Sequence, residues 1–166
     1  MRKVNVIGVG MTKFQKPGAS DEYNVMAVNA AKAALADAKV DFKEVQSAYV
    51  GYVYGDSTCG QRAVYEVGLT GIPVFNVNNN CSTGSSALYL ARQAIEGGLS
   101  ECVLAVGFEQ MQKGALAAQW NDRTNPLDRH EWQESSARHS VKSLLRDARA
   151  MIAGGYRALL RHRRQS

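Results

Sequence analysis

The sequence predicts an α/β fold, a mostly parallel sheet with helices on both faces. Three observations carry this. Short apolar runs alternate with longer stretches of helical periodicity in the order βαβαβαβ. Residues 102–107 are continuously apolar, as a strand buried on both faces must be. A length of 166 residues suits about one domain. With 45% hydrophobic and 21% charged residues, that domain can bury a real core.

The elements follow in order. Residues 4–9 read as a buried strand, closed by Gly8 and Gly10. Ser20, Asp21 and Glu22 then offer a cap and two acids to a helix N-terminus. Tyr23, Met26, Ala27, Ala30, Ala31, Ala34, Leu35 and Ala38 form one apolar stripe at helical spacing. Residues 47–54, rich in Tyr and Val, make a second strand. A short helix is expected over 60–68 and a third strand over 73–77. Residues 83–95 form a helix with Ala87, Leu88, Ala91 and Ile95 on one face, stopped by Gly97 and Gly98. Residues 102–107 complete a four-stranded parallel core, with this last strand central.

The net charge of +5 sits at one end. Residues 1–121 carry 10 basic and 10 acidic side chains, whereas residues 122–166 carry 10 basic and 5 acidic. Nine of the ten bases in that last stretch are arginine, against three in the first, and His130, His139 and His162 all lie there. The composition changes near residue 130, which divides an α/β domain at 1–130 from a basic tail at 131–166. Within the tail, Val141, Leu144, Leu145, Ala148, Ile152, Tyr156 and Leu159 fit one amphipathic helix, flanked by arginines. Gly154 and Gly155 weaken it by about 1 kcal/mol each relative to alanine. Three readings of the tail stand: a helix on an anionic membrane surface, a patch for phosphate backbones, or a solvated segment. Trp132 and Tyr156 are too isolated to stack bases.

Several classes are disfavoured. No apolar run approaches the ~18 residues of a membrane span, and the N-terminus lacks the apolar stretch and cleavage site of a signal peptide. Cys59, Cys81 and Cys102 are odd in number and widely spaced, which argues against a disulfide framework or a metal site. Gly8-Val9-Gly10 starts like a dinucleotide fingerprint but lacks its third glycine, so a tight turn is expected.

The informative segment is Asn76-Val77-Asn78-Asn79-Asn80-Cys81-Ser82-Thr83-Gly84-Ser85-Ser86-Ala87-Leu88. A strand ends, three asparagines turn the chain, and a cysteine meets the start of a helix. Sulfur at such a strand–elbow–helix junction faces the positive end of the helix dipole, which favours thiolate. Backbone N–H groups at a helix start can also hold an oxyanion. The small residues Ser82, Gly84, Ser85 and Ser86 leave room for a substrate. Two readings of Cys81 are equally open on these grounds: a nucleophile that takes an acyl group, or a buried structural thiol. Cys59 and Cys102 read as structural. None of the three histidines is placed by the sequence within reach of Cys81.

These residues carry a resemblance. The chain resembles the N-terminal half of thiolases, most nearly the subfamily of sterol carrier protein X, in which a peroxisomal 3-ketoacyl-CoA thiolase is fused to a sterol carrier domain. The matching stretches are Val6-Ile7-Gly8-Val9-Gly10-Met11-Thr12-Lys13-Phe14 and Val50-Gly51-Tyr52-Val53-Tyr54-Gly55-Asp56-Ser57-Thr58-Cys59-Gly60-Gln61-Arg62. Thr70-Gly71-Ile72-Pro73 and the segment from Asn78 to Leu88 follow. Glu101-Cys102-Val103-Leu104-Ala105-Val106-Gly107-Phe108-Glu109 and Asp122-Arg123-Thr124-Asn125-Pro126 complete the set. The resemblance covers about residues 3–130, and from about Glu131 the tail is family-unrelated.

The resemblance implies an incomplete N-terminal half of a thiolase fold, with Cys81 as the residue acylated by substrate. It implies thiolytic cleavage of 3-ketoacyl-CoA from fatty acids or sterol side chains, with coenzyme A as co-substrate and no metal or tightly bound cofactor. In thiolases a second, similar half supplies the activating histidine, a further acid/base pair and much of the coenzyme A pocket, so the chain is expected to be catalytically incomplete. It is also expected to be marginal or to dimerise through its third strand, with itself or with full-length thiolase. A non-catalytic truncated isoform acting as an interaction fragment is the alternative, and membrane or nucleic-acid binding through the tail a second. The switch from lysine to arginine suggests splicing or a frameshift. Location is peroxisomal by resemblance. Arg164-Gln165-Ser166 is not a Ser-Lys-Leu-type signal, which leaves the cytoplasm as the alternative.

Overall fold

The structure, a computed structural model, describes residues 2–112 and 120–124 and the backbone pairing of residues 158–161. The elements are β1 (Asn5–Val9), α1 (Tyr23–Ala38), a 3₁₀ turn (Phe42–Glu44), β2 (Ser47–Gly51), α2 (Cys59–Val67), β3 (Val74–Val77), α3 (Thr83–Glu96), β4 (Cys102–Gly107) and β5 (Ala158–Arg161). The sheet order is β1-β5-β4-β2-β3. β4, β2 and β3 run parallel in direct register, Ala48 opposite both Leu104 and Val74. β5 runs antiparallel to both β1 and β4, so β1 shares the direction of the other three strands.

Alternation along β4 builds two cores. Cys102, Leu104 and Val106 join Ala27, Ala31 and Leu35 of α1 and Ala63 and Val64 of α2 on one face. Val103 and Ala105 join Ala91, Ala94 and Ile95 of α3 on the other. All six β4 residues are buried, as a central strand with helices on both sides demands. Gly8 and Gly10 serve this packing. A methyl group added at Gly8 would lie 2.3 Å from the Ala34 carbonyl oxygen, and one at Gly10 would lie 2.2 Å from that of Ala30. Their role is to let α1 settle onto β1, not to cradle a phosphate.

Three expectations are corrected. The sheet has five strands and is mixed, not a four-stranded parallel core. Leu159, assigned to a helical stripe, lies in β5, where Ala158–Arg161 fills the gap between β1 and β4. The rest of that stripe, with Trp132 and the three histidines, lies outside the described residues. The second strand stops at Gly51 because the Val53 and Tyr54 amides turn to a side chain, Glu109, rather than to a neighbouring strand.

β3 lies at one edge, as expected. The carbonyls of Pro73 and Val77 accept from Ala48 and Tyr52, so the intervening Val74 and Asn76 direct their backbone groups away from β2. Gln61 Nε2 already covers the Val74 carbonyl at 3.3 Å. Among the described residues α3 alone covers its face of the sheet, and Val6, Phe75, Tyr89 and Leu90 remain exposed beside it. No helix among the described residues is long and apolar enough to cross a membrane.

Candidate functional site

The site lies where β2 and β4 end and α3 begins. Both strands end in glycine, and the absence of side chains there lets the helix start approach. A methyl group at Gly51 would lie 2.7 Å from Thr83 Cγ2 and 2.9 Å from the Thr83 carbonyl oxygen. One at Gly107 would lie 3.4 Å from the Gly51 oxygen and 3.8 Å from Gly84 Cα. The first turn of α3 therefore sits directly on the carboxyl ends of two parallel strands, the usual place for a ligand crevice in an α/β sheet.

The elbow between β3 and α3 is held by its own polar side chains. Asn78 Oδ1 accepts from the Asn80 amide at 3.2 Å. Thr83 Oγ1 accepts from the Asn79 amide at 2.8 Å and donates to the Asn80 carbonyl at 2.6 Å. Asn79 Nδ2 donates to Ser86 Oγ at 2.8 Å, tying the turn to the helix. Asn80 adopts a left-handed conformation, φ 47°, which asparagine tolerates better than most residues. Between these clamps Cys81 is exposed, and its thiol donates weakly to Asn80 Oδ1 at 3.8 Å. It directly precedes Ser82, the N-cap residue of α3.

This geometry decides between the two readings of Cys81 in one respect: its sulfur is not a buried core group. Cys59 and Cys102 are buried. Cys59 hydrogen-bonds Tyr23, and that bond, followed by burial, pushes the Tyr23 phenol up to about 12. The oxyanion expectation is narrowed. The amides of Ser82 and Thr83 donate to the Asn79 and Asn80 carbonyls at 3.1 and 3.0 Å, so an oxyanion at Cys81 must draw on other donors.

Two neighbours were missed by sequence reasoning. Glu109, just beyond β4, accepts from the Val53 amide at 3.0 Å through Oε2 and from the Tyr54 amide at 2.9 Å through Oε1. Burial pushes its carboxyl up, and the two amides partly offset that. The Tyr54 phenol is raised by burial first, then by the charge of Glu109, then by that of Cys81. A carboxylate two residues past an all-apolar central strand was the available signal. No group of three or more potential metal ligands exists among the described residues.

Comparison with known proteins follows the same lines. The chain matches the family "Thiolase, N-terminal domain" over residues 4–157. It is 62% identical over 131 residues to sterol carrier protein 2 of Oryctolagus cuniculus, covering 77% of this chain and 24% of that protein. It is 60% identical over 133 residues to sterol carrier protein 2 of Homo sapiens, covering 78% and 24%. The chain thus spans about a quarter of the length of these curated relatives. Among solved structures, human mitochondrial 3-ketoacyl-CoA thiolase in complex with CoA superposes with a TM-score of 0.63. That match is 25% identical, over 76% of this chain and 34% of that one.

Proposed function

The chain belongs to the thiolase family, and from that premise we propose that Cys81 is its acyl-accepting nucleophile in the cleavage of 3-ketoacyl-CoA. The observation that carries this reading is the exposed sulfur on a clamped elbow at the start of α3, seated on Gly51 and Gly107. The Cys81 thiolate attacks the keto carbon, the bond between the second and third carbons breaks, and acetyl-CoA or propionyl-CoA leaves after taking a proton. Coenzyme A then attacks the acyl-cysteine and carries off the shortened acyl group, regenerating the thiol. Coenzyme A is thus a co-substrate, and neither a metal nor a tightly held cofactor has a part in the scheme. Fatty-acid and sterol side-chain intermediates are the proposed substrates, with the peroxisome as the proposed location.

By analogy with the family, we place the activating base and much of the coenzyme A pocket in a second, similar half of the kind thiolases carry. The residues of this sequence supply the acylation step, and the second half completes turnover. A second reading, an interaction fragment for full-length thiolase subunits, draws on the β3 edge, whose outward backbone groups suit pairing with another strand.

The test is thiolysis. The purified chain is mixed with a medium-chain 3-ketoacyl-CoA and coenzyme A, and acetyl-CoA release is followed for wild type and Cys81→Ala. One equivalent released by wild type and none by the variant supports the reading. Equal release overturns Cys81 as the nucleophile, and none from either together with capture of a full-length thiolase favours the interaction fragment.

A further inference from the structure

Asn80 is one of three non-glycine residues with a positive φ among the described residues. The other two, Lys39 and Thr58, cap the end of α1 and the start of α2. Asn80 lies instead inside the turn that delivers Cys81. The Ser82 amide closes that turn on the Asn79 carbonyl at 3.1 Å, which makes Asn80 its first central residue. A positive φ at that position marks the turns that glycine, asparagine and aspartate populate and other residues avoid. The Asn80 backbone is held from both sides. Its amide donates to Asn78 Oδ1 at 3.2 Å, and its carbonyl accepts from the Thr83 amide at 3.0 Å and from Thr83 Oγ1 at 2.6 Å.

The side chain of Asn80 serves a different end. The carboxamides of Asn78 and Asn79 and the Thr83 hydroxyl bind the elbow itself. The Asn80 carboxamide turns to the sulfur, its Oδ1 accepting from the Cys81 thiol at 3.8 Å. Asn80 and Cys81 are both exposed, so packing does not force the two side chains together.

We propose that Asn80 is a positioning residue for Cys81. Its left-handed backbone sets where the Cys81 Cα enters α3, and its side-chain oxygen holds the sulfur in one rotamer. Asparagine supplies both functions, glycine only the first, and alanine neither. The carboxamide takes no part in bond making. This rests on Cys81 being the acyl-accepting nucleophile, and it adds to that reading the residue that aims the sulfur.

The first readout needs no acyl transfer. The infrared S–H stretching band of Cys81 is isolated as the difference between the full chain and its Cys81→Ala variant. Donation to an oxygen lowers that frequency. The band should move to higher frequency in Asn80→Gly and stay low in Asn80→Asp, which keeps both the turn and an acceptor oxygen. The urea midpoint should fall in Asn80→Ala and hold in Asn80→Gly. Acylation by a 3-ketoacyl-CoA, followed by mass, should slow by about threefold in Asn80→Gly, as the sulfur spreads over three staggered rotamers. It should slow by about 100-fold in Asn80→Ala, the scale of a misplacement of about 1 Å.

An unmoved band in Asn80→Gly overturns the hold on the sulfur, and this variant decides the point even where Asn80→Ala does not fold. A urea midpoint in Asn80→Ala equal to that of Asn80→Gly overturns the backbone role. If wild type takes no acyl group while the band and midpoints behave as expected, the proposed function falls and the hold of Asn80 on Cys81 stands.

Discussion

Gly51→Ala is the substitution that most directly perturbs the seat of the elbow. The added methyl carbon would lie 2.7 Å from Thr83 Cγ2 and 2.9 Å from the Thr83 carbonyl oxygen. Carbon contacts are comfortable at about 3.5–4.0 Å, so the first turn of α3 must retreat by about 1 Å. The carbonyl is backbone and cannot rotate away, and Gly51 lies in the central part of the sheet between β4 and β3. Overpacking of this kind costs about 1–3 kcal/mol. With a urea slope of about 1–3 kcal/mol/M, the unfolding midpoint should fall by about 1 M. The same displacement moves Cys81 relative to its clamps, and a shift of about 1 Å can cost about 100-fold in rate. Acylation by a 3-ketoacyl-CoA should therefore slow by more than the stability loss alone explains. Gly84→Ala is the control, because nothing lies within 4 Å of a methyl group added there. It should stabilise the helix by about 0.5–1 kcal/mol. An unchanged urea midpoint in Gly51→Ala would refute the close seating of α3 on the strand ends.

Three further outcomes are expected. Thr83→Val keeps the shape of the side chain but removes the acceptor of the Asn79 amide and the donor to the Asn80 carbonyl. It should cost about 1–3 kcal/mol in chemical denaturation, and a neutral result would show that the elbow does not depend on that hydroxyl. Glu109, raised from 4.5 chiefly by burial, contributes stability that is full below 4.5 and lost as pH rises through its higher folded value. Subtracting the pH profile of Glu109→Gln from that of wild type should leave a decline just above pH 4.5, whereas a rise would reverse the sign assigned to its burial. Ile95→Ala, at a site with no exposed surface under α3, should destabilise by about 2–5 kcal/mol in thermal or urea unfolding. A loss below 1 kcal/mol would mean that the α3 face is loosely packed.

Periodicity made most of this fold legible. The stripe from Tyr23 to Ala38 and the apolar run Cys102–Gly107 became α1 and β4 at the expected bounds, because one long amphipathic pattern and one fully apolar strand leave little choice. β5 was not legible. Its four residues, Ala158–Arg161, include Leu159, which also fits a helical stripe, and pairing with β1 and β4 is a tertiary effect that local spacing does not record. The elbow was read correctly from its three asparagines and Cys81, since turn residues between strand and helix act locally. Glu109 and Tyr54 were invisible as a pair. They are 55 residues apart, and only the sheet brings the carboxylate to the amide. Gly51 and Gly107 looked like ordinary strand ends, and their meaning appeared only when the neighbour they admit, α3, was in place.

The central claim is that Cys81, presented by this elbow, takes the acyl group. The direct measurement is mass spectrometry of the intact chain and of its cysteine peptides after exposure to a 3-ketoacyl-CoA. The account predicts a single acyl adduct, carried by the Cys81 peptide and absent in Cys81→Ala. An adduct on Cys59 or Cys102, or equal labelling of wild type and Cys81→Ala, would contradict it.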